Sequence, residues 1–97
     1  MKAIYHRLAA KDVRAIMDYY SDESGPGLAE RFLAEFLRTV EKACGNPRCF
    51  PPLDGPVRRA NLDGFPYHFL YEERSFGIRV MVVRHHRRNP DYGLRRR

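Results

Sequence analysis

The chain predicts an α+β domain in which a helix hairpin covers one face of a mostly antiparallel sheet, in the order β-α-α-β-β-β. Three observations predict it. Apolar residues recur with a helical period through most of the first half, a proline-rich stretch interrupts the chain at residues 47–56, and beyond it the period shortens to two, with two hairpin signals.

Residues 3–6, Ala-Ile-Tyr-His, read as a short N-terminal strand. From Ala9 the pattern is helical, because Val13, Ile16, Met17 and Tyr20 fall on one face while Asp12, Arg14 and Asp18 point elsewhere. Gly25-Pro26-Gly27 interrupts this helix and allows a reversal. A longer amphipathic run follows, with Ala29, Phe32, Leu33, Phe36, Leu37, Val40, Ala43 and Cys44 as its apolar stripe. Two helices joined so closely form an antiparallel hairpin. Gly45-Asn46-Pro47 stops the second helix, with a positive φ expected at Gly45, and residues 47–56 read as a loop. Strands are predicted at 57–62, 65–73 and 78–85, separated by Asp63-Gly64 and by Arg74-Ser75-Phe76-Gly77. The middle strand places Phe65, Tyr67, Phe69 and Tyr71 on one face, where they read as core, and His68, Leu70 and Glu72 on the other. By the same alternation the last strand sets Ile78, Val80 and Val82 against Arg79, Met81 and Val83. The face away from the helices is the expected place for function.

With 97 residues, 43% of them hydrophobic, the chain suits one domain over residues 1–97 ending in a short basic tail, residues 90–97. Eighteen Lys and Arg against twelve Asp and Glu give a net charge of +6. Residues 1–46 carry 7 basic and 7 acidic groups, so the whole excess lies in the strands and tail; residues 84–97 hold six arginines and one acid. Such a segment attracts an anionic partner, and the tail is predicted to stay mobile until something binds it. No stretch is apolar enough to span a membrane, and the N-terminus, broken by Lys2, His6, Arg7, Lys11 and Asp12, lacks a secretory signal pattern, so a cytoplasmic location is expected. Cys44 and Cys49 make neither a disulfide framework nor a zinc pattern and read as reduced thiols.

If the three strands pair as consecutive hairpins, the end of the last lies beside the start of the middle one. Arg58 and Arg59 would then lie near Tyr67 and His68 and near the run from Arg84 through His85 and His86 to Arg87 and Arg88. Such a cluster suits a phosphodiester held by guanidinium groups, a base stacked on an aromatic ring, and proton transfer by His or Tyr. His85 and His86 point to opposite faces of an extended strand, which argues against a shared metal; no metal and no cofactor are expected. Glu72 and Glu73 are likewise adjacent and do not form a catalytic pair, and no phosphate loop, Ser-His-Asp order or nucleotide fingerprint is present.

The element order, together with Asp12-Val13, Ile16 and Tyr19-Tyr20, Leu28-Ala29 and Phe32, Pro47 and Phe50-Pro51, Arg58-Arg59, Phe65-Pro66-Tyr67, Tyr71, and the run from Val83 to Pro90, resembles the RelE/ParE superfamily of toxins from bacterial type II toxin–antitoxin modules. The resemblance covers nearly the whole chain. Phe65-Pro66-Tyr67 and the His85-x-x-Arg88-Asn89-Pro90 ending resemble the ParE and plasmid-stabilisation branch, where H-x-x-R-D-P is common; Asn89 stands in place of the usual Asp. That branch implies a toxin that inhibits DNA gyrase, is not a nuclease, and is neutralised by a cognate antitoxin, with operator DNA reached only through the antitoxin. Arg58, Arg59, Arg84, Arg87 and Arg88 would then face the target. The RelE branch implies instead a metal-independent mRNA interferase acting on the ribosome, with His68, His85, Arg88 and Tyr92 as candidate catalytic residues. That branch commonly has arginine where His68 stands and lysines before it, whereas this chain has no lysine after Lys42. A third implication is a non-toxic binding module of the same fold.

Overall fold

The computed structural model describes residues 2–97. Its elements are β1 (Lys2–Tyr5), α1 (Arg7–Ser24), α2 (Pro26–Gly45), β2 (Pro52–Asp54), β3 (Val57–Asn61), β4 (Tyr67–Arg74) and β5 (Gly77–His85). They form the expected architecture, with one sheet in the order β1-β5-β4-β3-β2. Every pairing is antiparallel except β1 with β5. The parallel pair depends on Gly77: its φ is +145°, and a Cβ there would run into the Lys2 backbone.

Helix α1 begins two residues before the expected start because the His6 side chain caps it, Nδ1 accepting from the Leu8 N–H at 3.0 Å. Gly25, at φ 83°, ends α1, and Pro26 opens α2 at once, so one residue separates the helices. The positive φ expected at Gly45 is not there. Gly45 stays helical and Asn46 is extended (φ −149°, ψ 91°), because the ring of Pro47 disfavours helical backbone in the residue before it. The loop predicted at 47–56 contains the short β2, which pairs with β3 at the sheet's outer edge, where Pro52 leaves no ladder donor missing inside the sheet.

Strand β5 departs from the predicted alternation. Leu70 pairs with Val82 but Tyr71 pairs with Val80, so Met81 is an extra residue, a β-bulge. The bulge resets the phase: Val83 joins Ile78 and Val80 in the core under the helices, while Val82 sits with Met81 on the opposite face. The main core packs Ile16, Phe32, Phe36 and Val40 of the helices onto Ala60, Phe69, Tyr71, Ile78 and Val80, all less than a tenth exposed. Tyr71 is satisfied there by donating to the Pro47 carbonyl at 2.7 Å, and burial pushes its phenol up to about 12.

The tail is not the free segment expected. A second cluster of Val57, Leu70, Met81 and Val82 on the open face is covered by Tyr92 and Leu94. Gly93, at φ +74°, lies so close to the sheet that a Cβ would sit 2.5 Å from a Val82 methyl. The chain then reaches α1, where Arg96 Nη1 meets Asp12 Oδ2 at 2.6 Å, the two side chains being 11% and 9% exposed. The physical reason is twofold: apolar side chains on the open face need cover, and a half-buried carboxylate needs a cation. Asp12 also accepts from the Val83 N–H at 3.0 Å, and Arg96 donates to the Met81 carbonyl at 3.1 Å. These are edge groups of β5 beyond the end of β1, so the ion pair closes an otherwise open strand edge.

Candidate functional site

The open face carries a basic cluster whose members come from three strands. Arg59 of β3 lies opposite Leu70, His68 of β4 opposite Arg84 of β5, and all three share the face turned from the helices. His86 follows β5 and is fixed by its N–H donating to the Pro66 carbonyl at 2.9 Å. Its ring lies edge to edge with that of His68, nearly coplanar, with centroids 5.2 Å apart and planes within 11°.

Hydrogen bonding defines the tautomers. An arginine only donates, so His68 Nε2, 2.9 Å from Arg84 Nε, is an acceptor. His68 therefore carries its proton on Nδ1 and donates it to His86 Nδ1 at 2.9 Å, where Arg59 Nη2 also donates at 3.3 Å. His86 is left with its N–H on Nε2, on an exposed ring. Burial first, then the charges of Arg59 and Arg84, hold the pKa of His68 down to about 3, and burial and Arg59 lower that of His86. Both imidazoles are neutral donors and acceptors near neutral pH.

Arg84 is buried beneath the cluster and ties it to the tail, donating through Nη1 to the carbonyls of Pro90 at 2.6 Å and Tyr92 at 2.9 Å. It positions its neighbours and does not face outward.

A second group lies across β5. His85 points to the helix side, edge-on to Tyr67 at 5.2 Å, and with Asp12, Ile16, Tyr19, Arg88 and Tyr92 lines an open cleft of about 250 Å³. Arg88 lies over the Tyr92 ring, 3.9 Å from its centroid, and the Tyr92 hydroxyl donates to Asp12 Oδ1 at 3.2 Å.

The predicted residues thus divide. Arg59, His68 and Arg84 gather on the open face; His85, Arg88 and Tyr92 gather at the cleft. Arg58 joins neither, pointing to the helix side and donating to the Phe50 carbonyl at 2.7 Å. Arg87 is exposed beside His86. Sequence reasoning set His86 in the converging run without giving it a role of its own, and gave none to Asp12 or Arg96. For His86 the signal was present, since consecutive residues in a strand take opposite faces, and one of the two histidines had to join His68. For Asp12 and Arg96 there was none, because the pair spans 84 positions.

Among the described residues no three His, Cys, Asp or Glu side chains converge as metal ligands do, and no helix is long and apolar enough to cross a membrane.

Known proteins place the chain. No curated protein matches it. A solved structure described as the chromosomal ParDE TA system from P. aeruginosa has the same fold: TM-score 0.76 and 24% identity, covering 88% of this chain and 95% of that one. A family profile described as the ParE toxin of type II toxin-antitoxin system, parDE, matches residues 3–90. The matched residues hold both helices, the sheet and the basic cluster and stop before Tyr92 and Arg96, and on their strength the chain belongs to the ParE toxin family of type II toxin–antitoxin systems.

Proposed function

We propose that this chain is a toxin that binds and inhibits DNA gyrase and is neutralised by a cognate antitoxin. The observation that carries the reading is the family match across residues 3–90. The charge distribution supports it: the helix half is neutral, and the positive excess lies on the strands and tail, where it steers encounter with an anionic partner surface. Exposed apolar side chains, Ile4 and Tyr5 on β1 and Leu37 on α2, offer contact area for an amphipathic antitoxin segment.

The hydrogen bonding of His68 and Tyr92, two of the four candidate catalytic residues, favours this reading over mRNA cleavage. Both ring nitrogens of His68 are engaged, one by Arg84 and one by His86, and the Tyr92 hydroxyl is held by Asp12. His68 and Tyr92 therefore lack a free proton-transfer position toward a substrate on the open face.

Purified protein added to gyrase is expected to abolish supercoiling or to trap cleaved DNA, with relief by the product of an adjacent antitoxin reading frame. Supercoiling that continues unchanged at large molar excess overturns the gyrase target. Cleavage of mRNA on translating ribosomes would transfer the protein to the nuclease reading.

A further inference from the structure

The cleft between α1 and the end of β5 holds chemistry that the gyrase reading leaves unassigned. Its floor is apolar, built from Ile16 and Val83 with the rings of Tyr67 and Tyr92, and the exposed Ala15 and Tyr19 form its α1 rim. On the strand side two polar groups have no partner among the described residues. Arg88 lies over the Tyr92 ring yet forms no ion pair. His85 accepts the Arg87 N–H on Nδ1 at 3.0 Å, which leaves its own proton on Nε2 as an unanswered donor. The acid in the cleft is already engaged, since Asp12 accepts from Arg96, the Tyr92 hydroxyl and the Val83 N–H.

We infer that this cleft is an anchor pocket for a segment of the antitoxin, taking one large apolar side chain whose neighbouring carboxylate pairs with Arg88 and accepts from His85 Nε2–H. The inference rests on the reading of the chain as a toxin held by an antitoxin, and gives that partner a defined point of attachment.

Size and charge select this occupant. The volume of about 250 Å³ falls below the roughly 300–1,000 Å³ of pockets that enclose a whole small molecule, and it suits one side chain of a larger partner. Interfaces concentrate affinity in such recesses, each filled by a large apolar anchor. Ile4, Tyr5 and Leu37 are exposed and add contact area, but none of them lines this recess. The charge is too small for a nucleic-acid strand, whose binding draws on several cations together. Arg84 is engaged by His68 and the tail carbonyls. On the α1 rim Lys11 and Asp18 flank Ala15 one turn away on either side and offset each other, and Asp22 lies one turn past Tyr19. A single uncompensated guanidinium matches a single carboxylate.

The test is a heteronuclear NMR titration of the isotope-labelled chain with N-acetyl-phenylalanine, which joins an aromatic side chain to one carboxylate, and with its uncharged amide. The acid is expected to shift the resonances of Ala15, Tyr67 and His85 and to bind at about millimolar strength, as ligands of its size do. Its amide should bind about 3- to 5-fold more weakly, and Arg88→Gln should cost the acid the same factor while leaving the amide unaffected. Such coupling belongs to a direct ion pair, whereas a merely structural role of Arg88 would weaken both probes alike. Ala15→Phe sets a ring across the mouth from an exposed helix position and should remove binding of both probes without lowering the melting temperature. Arg95→Gln, an equal charge change outside the cleft, should alter neither. Equal affinity for acid and amide, shifts scattered away from the cleft, or displacement of the acid by a single-stranded oligonucleotide would each overturn the pocket.

The product of an adjacent antitoxin reading frame should bind Ala15→Phe at least about 10-fold more weakly than wild type in calorimetry. Equal binding of the two would overturn the anchor while the antitoxin reading stands. Failure of that product to bind even the wild-type chain would overturn the antitoxin reading and the anchor with it.

Discussion

At the scale of single residues, His68 shows how a polar group inside a sheet can be stable and electrically silent. It is 1% exposed, yet both ring nitrogens are paired, and a neutral imidazole between two arginines avoids a third positive charge. The consequence for stability has a definite sign. Unfolded, His68 protonates near 6.5; folded, it resists protonation down to about 3. Between those values the unfolded chain binds more protons, so the contribution is complete above about pH 6.5 and is lost as pH falls toward about 3, at up to about 1.4 kcal/mol per pH unit. His86 is shifted in the same direction and adds to the effect. His68→Gln keeps an acceptor for Arg84 and has nothing to titrate. Denaturant midpoints followed by circular dichroism should fall more steeply with acid for wild type than for this variant. Parallel curves would assign the acid sensitivity elsewhere.

At the scale of elements, the tail after β5 acts as a strap over the second hydrophobic cluster. Arg96→Met leaves the half-buried Asp12 without a counter-charge and is expected to cost about 3 kcal/mol, read as a lower melting temperature. Gly93→Ala drives a Cβ against Val82 and should lift the same strap by a different route. Both changes should speed amide exchange at Val83, whose N–H is held by Asp12, whereas Arg95→Gln should leave it unchanged. The helices and hairpins were legible in the sequence because each is set by local signals: periodic apolar stripes, Gly25-Pro26, Asp63-Gly64 and the two-residue turn between Arg74 and Gly77. The bulge was not, since in the run from Val80 to Val83 every residue is apolar and no polar position marks the phase. The strap was hidden for another reason. A run of arginines at a chain end has the composition of a solvated segment, and only the folded structure brings Asp12 to Arg96.

At the scale of the whole molecule, the structure revises what the +6 charge presents to a partner. Of the six arginines in residues 84–97, Arg84 is buried under the open face and Arg96 is paired inside the strap, so four, Arg87, Arg88, Arg95 and Arg97, remain exposed. The candidate site was partly legible: pairing logic places Arg59 near His68 and Arg84, and alternation sets His85 and His86 on opposite faces, whereas the turn of Arg58 to the helix side and the reach of Arg96 to Asp12 left no local mark. The strap has a further effect, on time rather than on energy. The contact joins residues 84 positions apart and rests on the finished sheet and α1, so it belongs late in folding. Interactions absent from the transition state govern the unfolding rate. In stopped-flow measurements Arg96→Met should accelerate unfolding by about two orders of magnitude while refolding keeps its wild-type rate; equal slowing of refolding would place the strap in the folding nucleus. The Asp12–Arg96 ion pair would then act as a latch that sets how long the native sheet survives once made, with little influence on how fast it is made.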